Sequence, residues 1–199
     1  METSCIEFEI SSHFLSSVEL VNSQLCSDCA TSAPWRWITI GLYDAIYCAL
    51  VLKLSRTDMF GVYPESLEKK AGEFYRKGLS SNTPEWDELS KLQAESKLAD
   101  FSTLLKRAKL ESGARVHKNV SSSSGLARSI TLLKKRRDMF AHPEDVSLVS
   151  TSTEFKEVAT DCLIVLREIL GMKAFRNYDL PEHRVERLLG DIEKGLQRK

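Results

Sequence analysis

The chain has 199 residues, with 28 Lys and Arg against 28 Asp and Glu, 42% hydrophobic residues, 9 Gly and 5 Pro. This length suits one domain with a proper core, and the composition excludes collagen, wholesale disorder and a disulfide-stapled miniprotein. The net charge of zero argues against a generally basic protein, so any contact with nucleic acid must come from local charge.

The first residues, 1–4, include Glu2 where a signal peptide would carry positive charge, and no clean apolar segment follows. We therefore expect a cytoplasmic protein. The longest apolar stretch, 37–52, is shorter than the roughly 20 residues that span a bilayer and contains Asp44, so we expect a buried core helix and no membrane partner. The five cysteines are an odd number, which favours reduced thiols.

Helical periodicity dominates the chain, and convincing period-two strands are absent. Segment 35–54 is apolar nearly all round, which predicts a central helix enclosed by others. Segment 57–84 predicts a long connection with a short helix at about 65–75. The helix before the central one is predicted by an apolar stripe: Phe14, Val18, Val21 and Leu25.

The second half predicts one helix over about 85–110, another over about 125–141, a third that Ser152 or Thr153 caps, and a last helix over about 181–196. The helix over 125–141 should end there because Pro143 disfavours the α conformation at His142. The chain is thus expected to be all-α, a bundle of about five to six helices in one domain over 1–199, with 172–199 as a C-terminal helical extension.

Charge is unevenly distributed along the chain. Between Lys106 and Arg137 there are ten basic residues and one acidic residue, Glu111, so this segment carries +9 and the remainder −9. Such a basic segment indicates polyanion binding, although a solvated helix surface is the alternative. The basic residues are Lys106, Arg107, Lys109, Arg115, Lys118, Arg128, Lys134, Lys135, Arg136 and Arg137.

Arg137 stands out on the helix over 125–141. On a helical wheel it falls in the middle of an apolar arc about 100° wide, formed by Leu126, Ile130, Leu133, Phe140 and Ala141. A guanidinium cannot lose its charge, so it must find an anion there or lie at a cleft or partner. The alternative is a structural Arg that a carboxylate or carbonyls satisfy.

His142 lies five positions after Arg137, where the helix should end. Its ring would sit at the negative end of the helix dipole, near Asp138 and the acidic residues Glu144 and Asp145. These neighbours favour the imidazolium or fix its tautomer, as an acid/base histidine requires. Taken alone, such a histidine is more often only a helix cap.

The segment Arg137-Asp138-Met139-Phe140-Ala141-His142 resembles the Arg-x(4–6)-His motif of the HEPN superfamily (higher eukaryotes and prokaryotes nucleotide-binding). Members are small helical bundles with the motif at the end of a long helix, often with a polar residue directly after the Arg, a place that Asp138 fills. The resemblance covers about 14–170, although its specific part is six residues long.

The resemblance implies a metal-independent endoribonuclease without a cofactor, acting as a homodimer whose two motifs meet in a composite site. It also implies a role as a toxin or antiviral effector, with a cognate antitoxin or regulatory protein as a partner. Arg137, His142 and Asp138 would be catalytic, and Lys134, Lys135 and Arg136 would bind RNA. The alternatives are a non-catalytic HEPN-like binding or dimerisation module and an unrelated helical adaptor.

Two further patterns are weaker. Asp44 needs a partner in its apolar helix, and Arg137 is one candidate, with hydrogen bonding to a Tyr, a Trp or the backbone equally plausible. Cys26 and Cys29 form a single C-x-x-C with no second pair, so we expect no metal site.

Overall fold

The computed structural model describes residues 9–26, 33–55, 60–110, 123–141, 150–171 and 180–198. Within these ranges every regular element is an α helix and no strand occurs, which confirms the predicted all-α bundle. The described residues form eight helices, more than the five to six expected. They are α1 (Ile10–Cys26), α2 (Ala33–Leu54), α3 (Glu65–Arg76), α4 (Pro84–Glu95), α5 (Phe101–Arg107), α6 (Ser123–Ala141), α7 (Ser152–Gly171) and α8 (Glu182–Arg198).

Helix α2 is the centre of the bundle, as its apolar sequence predicts. It packs against α1, α5, α6 and α7. By length and composition α2 could also cross a membrane, but 67% of its most apolar window is buried inside the protein. Burial by four neighbouring helices accounts for this composition, so the fold is compatible with a soluble protein.

The contact between α1 and α2 depends on Gly41. A Cβ atom at this position would lie 2.8 Å from Val21 Cγ2 and 3.0 Å from the Ser17 carbonyl oxygen. The absence of a side chain therefore allows the two backbones to approach closely. The predicted stripe of α1, which includes Phe14 and Val21, is fully buried in this contact.

The predicted helix over 85–110 is two helices, and this expectation was wrong. Ser96 takes an extended conformation after α4, and Asp100 starts α5 by accepting a hydrogen bond from the Thr103 N–H at 3.1 Å. Between them, the Ala99 N–H donates to the Val62 carbonyl at 2.8 Å, and the Tyr47 hydroxyl donates to the Ala99 carbonyl at 3.0 Å. These long-range bonds favour the break over a continuous helix.

Helices α3 and α4 form a hairpin with a small core of its own, made of Phe60, Leu67, Ala71, Phe74 and Leu89. The short helix predicted at about 65–75 is α3. Arg107 of α5 ties the hairpin to the bundle by donating to the Gly61 and Tyr63 carbonyls at 3.0 and 2.7 Å. Glu68 accepts from the N–H groups of the same two residues.

The last two helices close the bundle. Thr151 caps α7, since its hydroxyl accepts a hydrogen bond from the Glu154 N–H, so the cap lies one residue before the predicted positions. Helix α8 packs against α1 and α7, and the C-terminal extension is therefore part of the main core. Its apolar stripe is buried: Val185, Leu188, Ile192 and Leu196.

We predict that Gly41→Ala lowers the free energy of unfolding by about 1–2 kcal/mol, because the new methyl group overlaps with α1 by more than the gain in helix propensity offsets. Gly190→Ala in α8 is the matched control, since a Cβ there meets nothing within 4 Å. It should raise stability by about 0.5–1 kcal/mol. Urea denaturation of both variants measures the difference, and equal stabilisation by both would contradict the close α1–α2 contact.

Candidate functional site

The rotation of α6 differs from the prediction. Its fully buried face contains two apolar and two polar residues, Leu126, Ser129, Leu133 and Arg136. Arg137 therefore lies beside the buried face and not in its middle, and Ala141 is exposed. The prediction placed only apolar residues on the buried face. The polar Ser129 is buried there as well, because its hydroxyl donates a 2.5 Å hydrogen bond to Asp161 of α7.

Arg136 is the structural arginine of this helix, and its predicted role in binding RNA is corrected. Its side chain is 4% exposed, and Nη2 lies 2.5 Å from Glu154 Oε2. The same nitrogen donates to the Ser150 hydroxyl at 2.8 Å, and the guanidinium lies 4.1 Å from the centre of the Phe155 ring. Hydrogen bonding from Ser150, together with the charge of Arg136, lowers the pKa of Glu154. A guanidinium held in this way is not available to an RNA phosphate.

Arg137 points into an open cavity between α1, α2, α6 and the segment 98–101. Its side chain is 33% exposed, it stacks on the Tyr43 ring at 4.6 Å, and its Nη1 lies 3.1 Å from Asp138 Oδ1. The cavity has a volume of about 460 Å³, within the roughly 300–1,000 Å³ typical of ligand sites. The guanidinium is thus preorganised by an aromatic ring and still reaches solvent.

The cavity brings together polar groups from four parts of the chain. Helix α1 contributes His13, α2 contributes Asp44 and Tyr47, and α6 contributes Lys134 beside Arg137. The Lys134 ammonium group donates to the hydroxyl of Ser102, the residue after the cavity residue Phe101, at 3.1 Å. Lys135, by contrast, is exposed outside the cavity.

Asp44 lies in the same cavity as Arg137, the candidate partner that the sequence suggested. Arg137 forms its ion pair with Asp138, but its charge still acts on Asp44. Burial raises the pKa of Asp44, and the charges of Arg137 and His13 oppose this shift in part. The cavity therefore holds a carboxylate whose ionised form is costly to bury.

Sequence reasoning missed His13 and Tyr43. The apolar stripe of α1 predicts that Phe14 is buried, but it does not predict the position of the adjacent His13. The close contact between α1 and α2 brings His13 to the cavity. Tyr43 precedes Asp44 in the sequence, yet its stacking under Arg137 depends on how α6 packs against α2. Burial raises the pKa of Tyr47 to about 12 and that of the Cys48 thiol to about 12, so both cavity residues stay neutral near pH 7.

The basic surface is smaller than the sequence indicates. Arg107 and Arg136 serve structural contacts, and Arg115 and Lys118 lie outside the described residues. The remaining cations of the segment are at least partly exposed: Lys106, Lys109, Arg128, Lys134, Lys135 and Arg137.

His142 also lies outside the described residues, as does Cys29. Helix α6 reaches Ala141, the last residue described before this gap. Its last turn is held by Arg36 of α2, whose Nη2 donates to the Phe140 carbonyl at 3.0 Å. A cation bonded to a terminal carbonyl stabilises the negative end of the helix.

Among the described residues, no three His, Cys, Asp or Glu side chains come together as a potential metal site. Comparison of the chain with protein-family models, curated proteins and solved structures finds no match in any of the three.

We predict that Asp44→Asn stabilises the fold at neutral pH. Because the folded state raises the pKa of Asp44, it binds more protons than the unfolded state between the two pKa values, and stability falls as pH rises through that interval. The gain in stability from Asp44→Asn should be present at pH 7 and should disappear at pH values below the ordinary pKa of an Asp side chain. Thermal melting of both proteins across pH tests this, and a destabilised variant at pH 7 would show that the Asp44 charge supports the fold.

Proposed function

We propose that this protein is a metal-independent endoribonuclease of HEPN type that acts as a homodimer, with Arg137 and His142 as its catalytic residues. The observation that carries the proposal is the position of Arg137. It lies in the wall of an open cavity, on a helix that is described up to Ala141, the residue before His142. The absence of matches to known proteins leaves the motif and this geometry as its support.

The cations on this side of α6 suit a phosphate. Arg137 is fixed by the Tyr43 ring, which reduces the conformational entropy that it would lose on binding an anion. Lys134 lines the same cavity and supplies a second positive charge. A guanidinium can bind two phosphate oxygens at once, and this geometry would stabilise charge that develops on a phosphorane.

The proposed reaction is an internal transfer within RNA. The ribose 2′-oxygen attacks the adjacent phosphorus, and the bond from phosphorus to the 5′-oxygen breaks. One imidazole accepts the 2′-hydroxyl proton and a protonated imidazole supplies one to the departing 5′-oxygen, so His142 from each of two motifs would provide the pair. The products are a 2′,3′-cyclic phosphate and a 5′-hydroxyl. Asp138 would orient His142, and Asp44 would set the electrostatic environment of Arg137.

The biological role that we propose follows from the same resemblance. A cytoplasmic ribonuclease of this type would serve as a toxin or an antiviral effector, held in check by an antitoxin or a regulatory protein. The second candidate, a binding or dimerisation module without catalysis, is favoured by the ion pair between Arg137 and Asp138, since that carboxylate competes with a phosphate.

We predict that Arg137→Ala and His142→Ala each lower the rate of RNA cleavage by roughly 10²–10⁴-fold, the loss expected for a charge-stabilising donor or an acid/base group. Cleavage should persist in EDTA, because neither role needs a metal. Asp138→Asn should have a smaller effect, since the amide oxygen still accepts a hydrogen bond. Gel assays with end-group analysis of the products measure the rates and the cyclic phosphate.

The matched control for this experiment is Arg128→Ala, which removes an exposed cation from the other end of α6. It should leave the cleavage chemistry unchanged, and circular dichroism should show that all variants remain folded. If the purified protein leaves a broad panel of RNAs intact, or if the Arg137 and His142 variants cleave like the parent, the binding module replaces the enzyme.

We predict that RNA binding weakens steeply with salt, because phosphate contacts release counterions. Lys134→Ala and Lys135→Ala should each reduce affinity for all sequences about equally and lower the slope of log Kd against log salt by about 1. Fluorescence anisotropy over a salt titration gives both quantities. An affinity insensitive to salt would identify these lysines as an ordinary solvated surface.

We predict a dimer in solution, with α6 of each copy close to the two-fold axis, because a composite site requires two motifs. Light scattering at micromolar concentration measures the mass, and a monomer would count against the composite site.

A further inference from the structure

We propose that Trp37, with Arg36 beside it, is a stacking platform for a nucleobase of single-stranded RNA next to the proposed catalytic motif. This inference rests on the proposed function and adds a substrate class to it. Trp37 is 43% exposed, although it is a large apolar side chain on α2, the central helix of the bundle. The guanidinium of Arg36 lies 5.4 Å from the centre of its ring.

The position of Trp37 on α2 links it to the cavity. Trp37, Ile40 and Asp44 are three and four residues apart, so they share one face of the helix, and Asp44 lines the cavity. Trp37 precedes Asp44 by seven residues, which corresponds to about 10.5 Å along the helix axis. A strand of a few nucleotides could therefore reach from Trp37 to the cavity that Asp44 and Arg137 line.

Arg36 connects the platform to the end of α6. Its side chain contacts Trp37 and also donates to the Phe140 carbonyl, two residues before His142. The platform is thus held beside the last described turn of α6, the helix that carries Arg137. A base on Trp37 would place its own phosphate near the motif.

The chemistry of this pair suits an RNA strand. An exposed indole offers a face to any nucleobase, and an adjacent guanidinium attracts the phosphate of the same nucleotide. Because moving a base out of a double helix costs free energy, the platform should bind bases of single strands.

The test uses the full chain and a 2′-O-methyl oligonucleotide, which lacks the attacking hydroxyl and stays intact. Its affinity is compared by fluorescence anisotropy with that of a matched abasic ribose-phosphate strand. The wild-type protein should prefer the strand with bases. Trp37→Ala should weaken binding of that strand about 5- to 150-fold and abolish the preference, the range expected for one stacked base. Trp37→Phe should retain part of it.

Tyr75→Ala is the control, since Tyr75 is an equally exposed aromatic residue, 40% accessible, on the α3–α4 hairpin. It should bind like the wild type. If Trp37→Ala binds like the wild type while Lys134→Ala is weakened, the platform is overturned and RNA binding stands. If Trp37→Ala dissociates the dimer by light scattering, Trp37 belongs to the subunit interface and the platform is overturned. If the wild-type protein binds neither strand, the proposed function and the platform fail together.

Discussion

The buried guanidinium of Arg136 determines how the candidate site is arranged. It is fixed between α6 and α7 by Glu154, by Ser150 and by the Phe155 ring. Removing a buried cation from these partners is strongly unfavourable, so the contact fixes the rotation of α6 about its own axis. With Arg136 directed inwards, the next residue must emerge at the side of the helix, where Arg137 meets Tyr43 and the cavity. Two adjacent arginines thereby take opposite roles, one in the architecture and one at the surface where chemistry is proposed.

Periodicity predicts most of the fold, because most helices bury one apolar stripe. The predicted stripe of α1 is buried as expected, and α7 and α8 each bury an apolar stripe of the same kind. Periodicity fails at the break between α4 and α5, where the deciding hydrogen bonds join Ala99 to Val62 and Tyr47, residues distant in sequence. It also fails for the rotation of α6, since a polar residue with a buried partner packs inside as firmly as an apolar one.

The sequence predicts a residue of the candidate site only where a charged side chain lies in an otherwise apolar segment. Asp44 in an apolar helix demands a partner, and the sequence named Arg137 among the alternatives; the structure places both at one cavity. His13 carries no such signal, because nothing local to α1 indicates which helix lies across from it. Gly41 indicates a close helix contact, but not the identity of the helix that approaches. The contribution of α1 to the site is therefore a property of the tertiary packing alone.

The burial of the Cys48 and Cys162 thiols makes the opening of the folded protein measurable by alkylation. Cys48 and Cys162 are 1% and 0% exposed on α2 and α7, and burial raises the pKa of both, whereas Cys26 is exposed at the end of α1. An alkylating reagent should therefore modify Cys26 at once and reach the two buried sulfurs only when the helices around them separate. Cys48 borders the cavity, whereas Cys162 does not, so a difference between their alkylation rates would distinguish opening at the cavity from unfolding of the core that they share. The chain thus carries its own reporters of local and global unfolding, without an introduced label.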